Sequence, residues 1–416
     1  MNRQSGPTLT VIGPSRIIDG TGARPLANWA MVIQDGQIRD IKPWNNEWVT
    51  ELGPEAEVIE LDGATLLPGF VDSHVHLIIN ANYFSADRGS APPPRRSDTA
   101  LLLQAVGNAQ SALRAGVTTL CDCGGPNHIV FALRQALKDG TIKGPSLIAS
   151  GDVITTEGGH GAFLGKTAKG VKEVRQAVVQ QVEAGADFIK VMVTGGGGDK
   201  AHQNQFDPAE LGAIVDEARR WGLRVAAHCH GTAGIRDAVE AGVSRIEHCS
   251  FVEEGVPGFD AAVAKAIVQR GIYVCPTNTV DYRQMQRVGD AEKVKQMAPR
   301  AQLNVTWRKL LEAGVTFIAG SDAGVSQIFC DDYALILELM VWELGMSPMD
   351  AILAGTRVAA EAMGIDDEIG TLKAGKRADI VAVEGDPLLD ISALRKVRLV
   401  MARGEVAYGP PGRWSC

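Results

Sequence analysis

The sequence predicts an α/β protein: a (β/α)8 TIM-like barrel carrying a composite β-sandwich domain built from its two terminal segments. Three observations predict it. Eight short apolar runs alternate with amphipathic helical stretches between residues 65 and 366. Hairpin-like β segments precede that region, and further β segments follow it. The chain, at 416 residues, is long enough for a barrel and an accessory domain together.

The N-terminal stretches LTVIGPSRIIDG, WAMVIQDGQIRDI and AEVIELDG are punctuated by Gly, Asp and Pro, the spacing of hairpins. A sheet this small buries too little to stand alone. Its partners are expected near the C-terminus, in IGTLKAGKRADIVAVEGDPL and VRLVMARGEVAYG. This reading assigns residues 1–64 and 367–416 to the composite domain and 65–366 to the barrel. The eight barrel runs are TLLPGFVDSHVHL, VTTLCDCGG, PSLIASGD, DFIKVMVTGG, RVAAHCHG, SRIEHCS, IYVCPTNT and TFIAGSDAG. Helical stretches such as VKEVRQAVVQQVEAGA separate them. Alternation of this kind builds parallel βα units, and eight of them close a barrel. The Pro-rich APPPRRSD, residues 91–98, reads as a loop over the barrel mouth.

Composition narrows the functional classes. Hydrophobic residues at 45% and charged residues at 22% suit a soluble globular enzyme. A net charge of −8 argues against nucleic acid or an anionic membrane as a general partner. No apolar run is long enough to span a membrane. The N-terminus lacks the apolar core of a signal peptide, and seven scattered cysteines without a CxxC pair suggest reduced thiols and a cytoplasmic location.

The histidines carry the chemistry. There are eight, and most fall at the ends of barrel runs. His74 and His76 lie two apart on the first run, so a strand puts both on one face. His228 and His230 repeat the spacing on the fifth, His248 ends the sixth, and Asp322 ends the eighth. Lys190 lies within the apolar FIKVMV, where a buried ammonium is costly unless neutralised or paired. Functional residues of barrels gather at the C-terminal ends of strands. Imidazoles with a carboxylate suit a borderline divalent ion such as zinc. Singly, each residue has a structural alternative: Asp322 as a helix cap, His228 or His230 as a satisfied core imidazole. His128 and His202 read as loop imidazoles.

Taken together, PGFVDSHVH, the lysine of the fourth run, the histidines of the fifth and sixth, GSDAG and the closing GTLKAGKRADIVAV resemble the amidohydrolase superfamily. The features GVTTLCDCGG, TTEGGHG, ADFIKVMVTGG, VAAHCHG and SRIEHCS are similar to its imidazolonepropionase-related branch. That branch includes metal-dependent Xaa-Pro and Xaa-Arg dipeptidases and ochratoxin-type amidases. The resemblance implies a binuclear centre in which His74, His76 and Asp322 hold one metal ion, and His228 and His248 the other. Lys190, carboxylated by CO2, would bridge them. It also implies hydrolysis of a small-molecule amide, with Asp322 moving the proton and with His160 and His230 contacting substrate. The prolidase-like members carry Tyr where this chain has His230, and a longer insertion after the loop that holds His160. Both departures count against an Xaa-Pro preference. Tyr282 and Arg283, after the seventh run, are candidates for a substrate carboxylate, or else solvated loop residues. Competing readings are a cyclic amide hydrolase or ring deaminase, and a non-catalytic metal-binding protein on the same fold. The resemblance suggests a homo-oligomer, and the apolar run YALILELMVWELGM, residues 333–346, reads either as an exposed helix face or as a helix packed on the barrel.

Overall fold

The protein is seen here as a computed structural model that describes residues 9–54, 56–84, 96–196, 200–279, 282–287, 289–325 and 327–409. Most of the Pro-rich patch, residues 91–95, lies outside them.

The terminal segments meet in one eight-stranded sheet. Its order runs Glu405–Tyr408, Val397–Ala402, Ile380–Glu384, Ala64–Pro68, Leu9–Ile17, Leu26–Gln34 and Gln37–Pro43, with Ala56–Ile59 also paired to Leu9–Ile17. The seam is antiparallel, Ile380 opposite Pro68 and Glu384 opposite Ala64. Ile12, Met31, Leu66, Ile380, Leu399 and Met401 form a shared core across it. Neither terminus supplies that core alone, which is why the N-terminal β segments need a partner 300 residues away in sequence on the order of a whole barrel.

The intervening chain is TIM-barrel-like, with parallel strands and helices in alternation. Phe70–Val75, Val117–Asp122 and Ser146–Ala149 form one parallel set. Val153–Thr155, Ile189–Met192, Val225–Gly231, Arg245–Glu253 and Tyr273–Cys275 form another. The eighth expected run is not a regular strand. It pairs through isolated bridges, Phe317 with Val274 and Ala323 with Val75. Its backbone still bonds on both sides: Ile318 N–H donates to Val274 O at 2.9 Å, and Asp322 N–H to His74 O at 2.7 Å. Left-handed φ angles at Asp322 (55°) and Gly324 (106°) interrupt the extended conformation. Gly320 permits the close approach of this run to the histidine strand, since a Cβ there would lie 2.4 Å from Cys275 Sγ and 2.9 Å from His74 Cβ.

Helices cover the strands in the expected way. Pro208–Arg220 begins with a capping box between Asp207 and Glu210 and buries Leu211, Ile214 and Val215. The helix Tyr333–Trp342 corrects an expectation. Residues Tyr333 to Met340 are all buried within this chain, and the Tyr333 hydroxyl donates to Val71 O at 2.8 Å. The run therefore packs on the strands and does not offer the apolar face on which a homo-oligomer was expected. Among the described residues six cysteines are buried and unbridged, and no helix is long and apolar enough to cross a membrane.

Candidate active site

Five of the expected donors arrive from four chain segments and converge. His74 and His76 come from Phe70–Val75 and the residue after it. His228 comes from Val225–Gly231, His248 from Arg245–Glu253, and Asp322 from the irregular eighth run. His74 Nε2 and His76 Nε2 each lie 3.5 Å from Asp322 Oδ1. His228 Nδ1 and His248 Nε2 are 2.9 Å apart. All five side chains are buried. Lys190 departs from the expected position at a strand end. It is the second residue of Ile189–Met192, paired with Ala226, two residues deeper than His228. Its long stem carries the nitrogen upward to within 3.4 Å of His74 Nε2. Among the described residues no carboxylate forms an ion pair with it.

The hydrogen bonds at the back of each ring fix which nitrogen faces the centre. His74 Nδ1 donates to the Glu247 carboxylate at 2.9 Å, and His76 Nδ1 to Gly124 O at 3.3 Å. His228 Nε2 donates to Gly195 O at 3.2 Å. Thr277 Oγ1 gives its own hydrogen to Pro276 O, so it accepts from His248 Nδ1 at 2.7 Å. These assignments follow from the acceptors present. They leave four nitrogen lone pairs and one carboxylate oxygen pointing inward. Lone pairs at 2.9 and 3.5 Å repel one another unless a cation lies between them, and neutral imidazoles with a carboxylate are what a divalent ion binds. The donor set therefore fits divalent metal ions.

Burial keeps three of these imidazoles neutral. It lowers the pKa values of His76, His228 and His248 well below the usual histidine value, helped by neighbouring imidazoles and Lys190. It raises that of Asp322, against the attraction of Lys190. Strain gathers here too: His248, Thr277 and Asp322 adopt positive φ of 68°, 48° and 55°.

Around the centre lies a cavity of about 740 Å³. His160 and His230 line it. His230 stacks on His248 with ring centroids 4.5 Å apart, and its Nδ1 is 2.9 Å from Ser250 Oγ. The His160 ring centroid is 4.5 Å from that of His228. Surrounding protein and Lys190 depress the His160 pKa, although solvent reaching its exposed side tempers the shift. The rest of the wall is largely apolar, with Phe163, Met192, Leu303 and Trp307 prominent.

The two residues nominated for a substrate carboxylate do not line this cavity. Arg283 faces a separate depression and is paired with Asp332, its Nε donating at 3.1 Å. Tyr282 packs on the Arg300 guanidinium, 5.0 Å from its ring centre. Besides Lys190, Lys295 and Arg300 line the cavity, both from the helix Asp290–Glu312. Arg300 is held by Asn278 O at 2.7 Å and by Glu343. Sequence reasoning also missed Glu247, Thr277 and Trp307, whose indole donates to His248 O at 2.8 Å. IEH in the sixth run puts a carboxylate beside a ligand, which was the available signal for Glu247. His128 faces Asp152 at 3.8 Å, in keeping with a loop role.

Residues 65–407 match the amidohydrolase family. The chain belongs to that family. This amidohydrolase is 30% identical to the ochratoxinase of Aspergillus niger, over 98% of this chain and 88% of that enzyme. It is 24% identical to the imidazolonepropionase of Nocardia farcinica, over 97% of this chain and 99% of that one. Among solved structures it is similar to a Xaa-Pro dipeptidase with methionine bound in the active site, with a TM-score of 0.84 at 30% identity, covering 97% of this chain and all of that one. The amidohydrolase is accordingly an enzyme that hydrolyses carbon–nitrogen bonds of the amide type, in a fold whose strands bring the described donors together.

Proposed function

We propose that the protein is a binuclear amidohydrolase that cleaves N-acyl amino acids. The observation that carries this reading is two buried donor groups side by side, His74 and His76 with Asp322 and His228 with His248, and a buried lysine whose nitrogen reaches His74. His74, His76 and Asp322 would hold one divalent ion, zinc by its donors, and His228 with His248 the other. Lys190 is the natural bridge. Its amine adds to CO2, forming an N–C bond and releasing a proton, and the resulting carbamate replaces a buried cation by two anionic oxygens. The reading includes closure of the eight runs into a barrel, with residues 65–366 as the catalytic unit and 1–64 with 367–416 as its composite β companion.

Bound ions would supply Lewis acidity, which acidifies water and polarises a carbonyl. The protein's own residues do the remainder. Asp322 accepts the proton of the attacking water and passes it to the leaving nitrogen, so that the departing amine is neutral. His160 and His230, kept neutral by their surroundings, offer hydrogen bonds to the scissile carbonyl as negative charge develops there. Phe163, Met192, Leu303 and Trp307 receive an apolar acyl group and exclude water.

The charge of the cavity supports an N-acylated substrate over a free dipeptide. Lys295 lines the cavity where it can meet a terminal carboxylate, whereas the charge of Arg300 is already paired with Glu343. Among the described lining residues Asp322 is the sole carboxylate, so a free α-ammonium would find no other anionic partner. A cyclic amide hydrolase is the second reading, favoured by the similarity to imidazolonepropionases. The test is initial rates of zinc-loaded protein on matched N-acetyl-phenylalanine-type amides, free dipeptides and cyclic amides. Faster hydrolysis of the N-acylated series is expected. Hydrolysis confined to dipeptides or to rings would contradict the substrate reading.

A further inference from the structure

We propose that Glu247 and Arg245 are a positioning pair that fixes His74 and sets metal affinity on the His74–His76–Asp322 side of the site, leaving the His228–His248 side unaffected. The inference rests on the metal-centre reading above and extends it to residues that would not themselves hold a metal ion.

Glu247 is completely buried, and both its oxygens are engaged. Oε2 accepts from His74 Nδ1 at 2.9 Å, and Oε1 accepts from Arg245 Nε at 2.8 Å. His74, Glu247 and Cys275 do form a compact donor trio of their own. Those two hydrogen bonds already occupy the Glu247 oxygens and the His74 Nδ1 hydrogen, so the trio is an orienting network. Residues 245 and 247 share one face of the strand Arg245–Glu253 by its period of two. His248, next in sequence, reaches the site through its left-handed backbone at φ 68°.

Arg245 is anchored to make this carboxylate stay. Its side chain is 5% exposed. Apart from Glu247 its neighbours are poor acceptors: Cys121 Sγ at 3.2 Å, Cys123 Sγ at 3.6 Å and Met363 Sδ, with the Phe188 ring 4.5 Å away. The guanidinium is therefore electrostatically tied to Glu247. A buried ion pair of this kind gives little stability over an apolar pair of the same size. What it gives here is a fixed tautomer and a more basic Nε2 on His74, because a carboxylate behind an imidazole strengthens it as a ligand.

The other rings lack this support. His76 is backed by a carbonyl at 3.3 Å, His228 by a carbonyl at 3.2 Å and His248 by a hydroxyl at 2.7 Å. The pair thus acts on one side only, and that asymmetry is what an experiment can read.

Metal-stripped protein is titrated with Co(II) against a chromophoric chelator, for the wild type, Glu247→Gln and the double variant Arg245→Met/Glu247→Gln. The double variant removes both buried charges and guards against simple misfolding. The wild type is expected to show two resolvable steps. Glu247→Gln weakens one step by roughly 10–100-fold and leaves the other unchanged. The double variant matches Glu247→Gln in the weakened step and melts at a similar temperature. In turnover kcat falls while KM stays within about twofold, since substrate contacts are untouched. Wild-type affinity for both steps in Glu247→Gln overturns the proposal, as does equal weakening of both, which signals general damage. A wild type that binds no Co(II) overturns the metal-centre reading and this inference together.

Discussion

The two sides of the candidate centre are built from similar donors and held by different means. His74 is backed by a buried carboxylate that is itself held by a buried guanidinium. His228 and His248 are backed by a carbonyl and a hydroxyl. One side carries its own anion, Asp322, and the other has none among the described donors. The difference teaches where the missing charge must come from. Two divalent ions, held as proposed beside one carboxylate, would leave a large positive excess in a buried site, and Lys190 as an ammonium would add to it. Its carbamate would offset it, which would make the lysine the link between an anion-rich side and an anion-poor one.

The comparison breaks most severely at Asp322. Asp322→Ala is expected to lower kcat by roughly 100–10,000-fold, because both the first metal position and the proton acceptor are lost. Circular dichroism should remain that of the parent, since the residue sits at a mouth and not in the main core. Activity within tenfold of the parent would remove Asp322 from the proton-transfer role.

Acid should separate the folded and unfolded chains next. His76, His228, His230 and His248 have depressed pKa values in the fold, that of His230 reaching about 3. The unfolded chain takes up protons near the ordinary value of ~6.5, and the folded chain does so only well below it. Stability from these groups is therefore full above that pH and lost as the pH falls beneath it. Metal-free protein should melt at progressively lower temperature from pH 7.5 to pH 5. A melting temperature constant across that range would mean that the rings are protonated in the fold after all.

The smallest effect is expected at Arg283. Its guanidinium belongs to Asp332 and not to the cavity, so Arg283→Ala should change KM by less than about twofold. Lys295→Ala should raise KM for anionic substrates by more than Arg283→Ala does. Equal effects would return Arg283 to the substrate-binding group.

These contrasts also mark what the sequence could show. A period of two made His74 and His76 co-facial, and the same spacing flagged His228 and His230. The alternation of runs and helices pointed to parallel βα units, and the terminal β segments did find one another in a single sheet. The orienting network was hidden because Glu247 and His74 are 173 residues apart, and an acceptor at that distance leaves no local pattern. Arg283 misled for the same reason: Asp332, which neutralises it, is 49 residues on. Lys295 and Arg300 sit in a helix with little amphipathic pattern and Pro299 within it, so nothing in their spacing pointed to a cavity wall. Hydrophobicity alone did not reveal that Tyr333–Met340 is covered, because an apolar helix reads alike whether it faces a partner or its own strands.

The central claim, that a lysine-bridged pair of metal ions links the two unequal sides, is tested most directly by metal analysis of the wild type beside Lys190→Ala. Inductively coupled plasma mass spectrometry should find about two divalent ions per wild-type chain, in keeping with a two-metal site. Lys190→Ala should lose at least one of them and most turnover, and a short carboxylic acid added to the variant should partly restore both by occupying the vacated bridge. If Lys190→Ala keeps two ions and turns over like the parent, the bridge does not exist, and the positive excess of the site is met in some other way.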